Sequence, residues 1–436
     1  LGISVDYTLA AVKNAKRVIA QVNDQMPRTC GGGNVRVEDI DLFVKHSSPI
    51  LELTPPKIGP VEEAIGNYCA SLINDGDTLQ LGIGAIPDAV LSFLRHKKNL
   101  GIHSEMFSDG VTADGIVIGT TDKLHFEPTV TAIGLGYKNI LLEKPISPSL
   151  DECFAIEKAS RENGVNIQVC HVLRYTEFYT KIHDIIASGE IGDPVVINHT
   201  EGVGTVNMAH SFVRGVFRKK QESSPIIFSK CCHDTDLLLY LIGRDCIEIS
   251  SFGGRYLFRT EMAPKGSADR CMDCSVRDDC RYNCLKLYDE VEWIREAALK
   301  QGEFDDIQTA LEKGPYGRCV YRCDNDVVDH QTVNMRFDGG VTATLTMTGF
   351  LDGRVTDIGG TKGRIHAEFS NGTISVYNGI TRKTKEYRCG NDSEGGDHGG
   401  GDFGMSKAFY DSMLGGVTHG TEISNSIQSH VMCQAA

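Results

Sequence analysis

The chain has 436 residues, 41% of them apolar and 23% charged, and a formal net charge of −14. This is globular composition for two or three domains, and the acidic balance excludes a polyanion-binding surface, whether nucleic acid or anionic membrane, which needs surplus Lys and Arg. No apolar run approaches the roughly 20 residues that span a bilayer; the longest, 237–242, has the length of a helix core.

The N-terminus opens on an amphipathic pattern, from which no secretory signal is expected. Leu9, Val12, Ala15, Val18 and Ile19 share one face and predict a helix over residues 5–22. Pro55, Pro56 and Pro60 break structure, and a second helix follows over 61–73. Residues 78–82 read as a buried strand, Gly82 to Pro87 as a glycine loop, 87–94 as a helix with Pro in its first turn, and 100–105 as a short strand. From Ala113 onward strands at 116–119, 139–143 and 165–170 alternate with helices at 124–135 and from Ser149, where Glu152 completes a capping-box pattern. Near-continuous apolar strands alternating with helices predict a parallel sheet. After Tyr175 a helix (177–187) and a strand (194–200) lead to an irregular stretch and a short helix (234–242) stopped by Gly243. Alternating segments at 333–337, 341–347, 363–369 and 373–377, with turn signals Gly339-Gly340 and Asn371-Gly372, predict an antiparallel sheet. The expected fold class is α/β: an incomplete Rossmann-like parallel sheet, then an α+β domain with a large antiparallel sheet.

Thr120-Thr121-Asp122-Lys123-Leu124-His125 after a strand, then Glu143-Lys144-Pro145, His171 to Tyr175, and the run from Ser229 to Asp236 stand in one order. With Asp326 to Gln331 and His398 to Asp402 they resemble the glucose–fructose oxidoreductase/inositol dehydrogenase (Gfo/Idh/MocA) family over about 113–436. The resemblance implies an NAD- or NADP-dependent dehydrogenase acting on a sugar, inositol or related polyol. It places Thr120, Thr121, His125, Glu143, Lys144, Pro145 and Arg174 at the cofactor. It makes Lys144 and His233 catalytic, and puts Asp329, His330 and His398 at the substrate. The family pattern has an Asp four residues before this His. Here Ser229 stands there with Lys230 beside it, so Lys230 or Asp234 is expected to bind substrate hydroxyls instead. The chemistry fits these residue types. Oxidising a carbinol needs a hydride acceptor and a base of suitable pKa. Lys144 follows a buried strand end, where open α/β sheets bind ligands, and an imidazole such as His233 titrates near neutrality unaided.

Residues 1–112 resemble 4-hydroxybutyrate/acetate-type CoA-transferases instead, through Val5 to Ala10, Leu79 to Pro87 and Gly101 to Met106. That resemblance implies a glutamyl-CoA thioester formed on Glu105, with CoA as cofactor and the glycine loop donating N–H groups to the oxyanion. The alternative activities are therefore dehydrogenase, acyl-CoA transferase, or none, the chain being a chimeric fragment. The first residue, Leu1, and the helical pattern at Cys433 to Ala436 fit a fragment. The strand–Gly82-x-Gly84–helix–strand unit with Glu105 also imitates a dinucleotide fingerprint, with Pro87 in place of the third glycine. It is expected to dock beside the strand at Ile116 and complete a sheet.

The domains expected are 1–112, a dinucleotide-binding remnant at 113–174, and a substrate and oligomerisation domain at 175–436 with a Cys-rich insertion at about 261–290. Fifteen cysteines, an odd number spread along a large chain, fit reduced thiols and a cytoplasmic location. Cys271, Cys274, Cys280 and Cys284 have the spacing C-x2-C-x5-C-x3-C, which leaves open a zinc or cluster site or an insertion of free thiols. The partners expected are a small sugar or polyol and a second copy of the chain joined through the antiparallel sheet.

Overall fold

The computed structural model describes residues 8–26, 35–49, 58–79, 85–98, 100–102, 115–302, 304–390, 398–413, 415 and 420–436. The chain divides into two units, 1–114 and 115–436.

In the first unit a short helix α1 (Thr8–Asn14) precedes β1 (Ile19–Val22). The single helix expected over 5–22 therefore stops early. Ile19 and Val22 are β-branched, and β1 pairs in parallel with β2 (Leu42–Lys45) in the register Ile19↔Leu42. Helix α2 (Pro60–Leu72) starts at Pro60, with the Gly59 N–H bonded to the Glu62 carboxylate. It packs on α3 (Ala85–Phe93) through Gly66, where a Cβ would lie 2.8 Å from the Ala89 carbonyl carbon. Strands β3 (Thr78–Leu79) and β4 (Gly101–Ile102) pair in parallel. Residues 5–7, Gly82, Gly84 and Glu105 lie outside the described residues.

The second unit begins with a three-stranded parallel sheet: β5 (Ile116–Ile118), β6 (Asn139–Leu142) and β7 (Asn166–Val169). Helices α4 (Phe126–Gly134) and α5 (Leu150–Asn163) connect the strands. Ile118, Ile140, Leu142, Ile167 and Val169 are buried in one cluster with Ile133 and Ile156. Ser149 does not cap α5 with its side chain. Ser147 takes that part: its hydroxyl accepts from the Ser149 N–H and donates to the Glu152 carboxylate.

Helix α6 (Glu177–Ala187) is capped by the Thr176 hydroxyl, which accepts from the Tyr179 N–H. Strand β8 (Pro194–Val203) follows, then the turn α7 (Thr205–Asn207) and a π-helical segment, Met208–Arg214. Next come α8 (Ile226–Ser229), α9 (Cys232–Ile242) and β9 (Cys246–Gly254). Gly243 ends α9 in the left-handed region, at φ 67°, where a Cβ is unfavourable. The Cys-rich insertion ends in α10 (Cys284–Glu290), and α11 (Glu292–Gly302) and α12 (Ile307–Lys313) follow it.

Strands β10 (His330–Phe337), β11 (Thr342–Thr348), β12 (Asp352–Gly360), β13 (Gly363–Glu368), β14 (Thr373–Asn378) and β15 (Lys383–Arg388) build the second sheet. Its order is β15-β14-β13-β12-β8-β11-β10-β9. It is mixed, where an antiparallel sheet was expected: β8 lies between β11 and β12, parallel to the first and antiparallel to the second. Hairpin signals fixed the β10–β11 pairing but said nothing of a strand inserted from more than 130 residues upstream, and β9, β12 and β15 gave no clear sequence signal. The inward face (Ile197, Val333, Met335, Leu345, Met347) packs on Phe178, Ile182, Leu237 and Leu241 from α6 and α9. The last helices are α13 (Gly401–Met413) and α14 (Ile423–Ala435).

Candidate active site

The C-terminal ends of the parallel strands gather the first candidates. Beyond β5, the Thr120 hydroxyl donates to the Leu124 carbonyl (3.0 Å), and the Thr121 carbonyl accepts from the Leu124 N–H. Beyond β6, the Lys144 N–H donates to the Glu143 carboxylate (3.0 Å). His125 is buried and joins the two loops, its ring nitrogens 2.7 Å from the Pro145 carbonyl oxygen and 2.8 Å from that of Thr120.

Lys144 Nζ donates to the Ser229 carbonyl (3.0 Å), so the position where the family pattern has an Asp contributes its backbone. His233, on the first turn of α9, is buried, and its Nδ1 has no hydrogen-bond partner. Burial, then the Lys144 charge, hold its pKa well below the ordinary value, so the ring is neutral. His171, after β7, lies 6.1 Å from His233 between ring centroids and 6.0 Å from His430. Burial lowers its pKa to about 4. His398 lies 6.0 Å from His233 between ring centroids and is half-exposed, bonded to Asp402 (3.0 Å). Lys144, His171, His233 and His398 thus form one group from four segments.

Other expected site residues are committed elsewhere. Arg174 clamps Asp236 with two bonds of 2.6 Å and donates to the Gly420 carbonyl. Asp234 is fully buried between Arg354 Nε (2.7 Å) and His199 Nε2 (3.0 Å). Lys230 Nζ reaches Glu201 (3.5 Å), which also pairs with Arg354 (2.7 Å). Asp329 accepts from the Tyr256 and Leu257 N–H groups and contacts His330 Nδ1 (2.8 Å). Sequence reasoning passed over His199, Glu201 and Arg354. Their signal was polar residues at inward positions of period-2 strands, Ile197-x-His199-x-Glu201-x-Val203 on β8 and Arg354-x-Thr356-x-Ile358 on β12.

The zinc or cluster site considered for Cys271, Cys274, Cys280 and Cys284 is not formed. Among the described residues no group of three or more His, Cys, Asp or Glu side chains is placed to hold a metal ion. The buried Arg214 guanidinium stands among these thiols, with Nη2 3.6 Å from Cys271 Sγ, and a fixed cation there opposes a metal ion. Among the described residues no helix is long and apolar enough to cross a membrane.

Residues 82–171 match the family model described as an oxidoreductase family with an NAD-binding Rossmann fold. The 4-hydroxybutyrate coenzyme A transferase of Clostridium kluyveri is 56% identical over 142 residues, 32% of this chain and 33% of the relative. The putative oxidoreductase YteT of Bacillus subtilis is 23% identical over 307 residues, 66% of this chain and 70% of the relative. Levoglucosan dehydrogenase in complex with NADH matches in fold with a TM-score of 0.55 at 14% identity, covering 87% of this chain and 94% of that one. The chain spans about a third of the length of the CoA-transferases it matches. Both resemblances read from the sequence are therefore found: CoA-transferase relatives cover the N-terminal part, and oxidoreductases of the Gfo/Idh/MocA type supply the family model and the fold neighbours. The family match begins at Gly82, inside the segment that reads as CoA-transferase.

Proposed function

We propose that the chain is an NAD(H)-dependent oxidoreductase that interconverts a secondary alcohol of a sugar, inositol or related polyol with its carbonyl. The observation that carries this is the unpartnered, buried Nδ1 of a neutral His233 beside Lys144, at the C-terminal edge of a parallel sheet. The loops at Thr120-Thr121 and Glu143-Lys144-Pro145 stand at that edge and fit a nicotinamide. The glycine loop beginning at Gly82 lies outside the described residues. NAD bound there would supply the acceptor for the hydride of the carbinol carbon. Lys144, anchored on the Ser229 carbonyl, orients the substrate oxygen, and the neutral His233 bonds it in turn and passes its proton on toward solvent rather than keeping it, because burial and the Lys144 charge disfavour an imidazolium there. NADP, a cytoplasmic location and the three-part domain division belong to the same reading, as does a second copy of the chain packed on the outward face of the mixed sheet, where Val196 and Phe252 are exposed.

The test is fluorescence titration with NADH, followed by a polyol panel monitored at the nicotinamide absorbance. Absence of both binding at millimolar cofactor and turnover with every polyol would overturn the reading.

A second reading is acyl-CoA transfer through Glu105, favoured by the 56% identity over 142 residues. Incubation with acyl-CoA and hydroxylamine, then mapping for a modified Glu105, decides it; an unmodified Glu105 leaves the N-terminal segment without this chemistry. Failure of both assays leaves a non-catalytic chimera.

A further inference from the structure

We propose that His398, oriented by Asp402, carries the substrate's hydroxyl proton from His233 to solvent, an inference that rests on the dehydrogenase reading above.

Oxidising a carbinol releases a proton, and that proton must reach water. His233 is 4% exposed, and burial with the Lys144 charge disfavours an imidazolium there, so its ring can pass a proton but not store one. Two imidazoles stand at nearly equal centroid distances from it, His171 at 6.1 Å and His398 at 6.0 Å. The route through His171 is closed. His171 is buried, and neither of its ring nitrogens has a hydrogen-bond partner. The ring beyond it, His430, is fully buried, and its Nε2 accepts from the Ile146 N–H (2.8 Å). Burial brings these two pKa values down to about 4 and about 3, so neither ring becomes an imidazolium near neutral pH. The route through His398 is open, because that side chain is 46% exposed.

The bond to Asp402 sets which nitrogen receives the proton. The carboxylate accepts from His398 Nδ1 (3.0 Å), which fixes the hydrogen on Nδ1 and leaves Nε2 as the acceptor. The local backbone holds this pair in place. His398 has φ 58°, in the left-handed region that a residue with a Cβ rarely adopts, and Gly399 and Gly400 follow at 63° and 82°. Such a conformation persists only where the surrounding structure fixes it. The fixing comes from α13. A Cβ on Gly401 would lie 2.5 Å from the Val172 carbonyl oxygen, and one on Gly404 2.9 Å from that of Tyr175. These two glycines seat α13 on the turn that follows His171, and so hold the His398–Asp402 pair where it meets His233.

The step balances. The carbinol carbon gives up its hydride, with the electron pair, to the nicotinamide cofactor. His233 accepts the hydroxyl proton and releases one to His398 Nε2, one bridging water closing the gap between ring nitrogens. His398 hands a proton to bulk water, and both imidazoles end neutral. Reduction runs the same route inward.

The test has two arms. In the cofactor-free full chain, exchange of the His233 ring N–H with solvent is followed by nitrogen-15 NMR. His398→Gly, in which glycine keeps the left-handed backbone at no cost, is expected to slow that exchange by at least about tenfold. With NAD and a polyol that the wild type turns over, the same variant should lose about 10²-fold in kcat with KM little changed. Free imidazole should then restore the rate in proportion to its concentration, which a merely structural defect would not allow. Should His398→Gly not fold, His398→Gln is read by exchange and kcat. Unchanged exchange alongside wild-type turnover overturns the relay alone, as does a raised KM with unchanged kcat, which would make His398 a substrate ligand, or a lost rate that imidazole leaves unrepaired. Absence of wild-type turnover with every polyol overturns the dehydrogenase reading, and the relay as a step of it.

Discussion

Arg354→Met tests what holds the base of the site. The guanidinium is buried; it bonds Asp234 on α9 and forms an ion pair with Glu201 on β8, each at 2.7 Å. Methionine has similar bulk and no charge, so the substitution leaves two buried carboxylates short of a cation. Breaking a buried pair by removing one partner costs about 3–5 kcal/mol. Asp234 keeps its bond from His199 and Glu201 keeps Lys230, so the lower end, about 3 kcal/mol, is expected. At a urea dependence near ~3 kcal/mol per molar, the midpoint falls by about 1 M. Trp293, the sole Trp, lies in the same unit and its fluorescence reports the transition. The control is Arg336→Met, whose partner Glu248 is exposed, with an expected loss below about 1 kcal/mol. The pH dependence has a definite sign. Burial raises the Asp234 pKa, but Arg354 and the His199 bond outweigh it and hold the carboxyl well below the usual range. A depressed acid stabilises the fold above its unfolded value of about 3.9, and that contribution is lost as pH falls further. The gap between wild type and Arg354→Met therefore narrows in acid. Equal losses for Arg354→Met and Arg336→Met at pH 7 would refute the reasoning.

Lys144→Met is expected to reduce kcat by about 10²–10⁴-fold with NADH affinity little changed; a loss under tenfold removes Lys144 from the chemistry. Burial lowers the pKa of His171 to about 4 and of His430 to about 3, so both are neutral in the fold. The unfolded chain binds those protons below about 6.5, so the thermal midpoint should hold above that pH and fall between it and 4, His171 alone contributing up to about 3 kcal/mol. A midpoint at pH 5 equal to that at 7.5 contradicts this. Gly202→Ala places a Cβ 2.7 Å from the Gly353 carbonyl oxygen where β8 meets β12, and chemical denaturation should show a loss of about 1–3 kcal/mol. Unchanged stability would mean that the strands part freely there.

The parallel sheet was legible because its strands are short apolar runs bounded by Gly and Pro, and Gly243 marked the end of α9 for the same local reason. The second sheet was legible only in part. Turn dipeptides announce hairpins, but the placement of β8 between β11 and β12 depends on contacts distant in sequence. The helix read over residues 5–22 was lost because helical spacing of apolar residues is shared by β-branched runs that pair when a partner strand is near. In the site, Lys144 and His233 were visible through the motifs that contain them. Glu201 and Arg354 were not, because a lone charge on an inward strand position shows its purpose only once the facing strand is known.

That hidden network changes the part assigned to Asp234. The sequence puts Asp234 beside His233 and invites a role at the substrate. The structure shows its Oδ1 held by Arg354 and His199, with no exposed surface. A carboxylate so held is a poor substrate ligand, because turning toward a hydroxyl would break its bonds from both Arg354 and His199. It is a good anchor, since it ties the first turn of α9 to β8 and β12 and so fixes the residue before it. His233 then feels the Lys144 charge without carrying charge of its own. Among the described residues no ion pair holds Lys144 or His233, which suits both to the substrate contact we propose, whereas His398 is paired with Asp402. The missing family Asp at Ser229 is thus offset in position rather than in charge. The Ser229 carbonyl steadies Lys144, and the negative charge of this region sits one layer deeper, on Asp234 and Glu201.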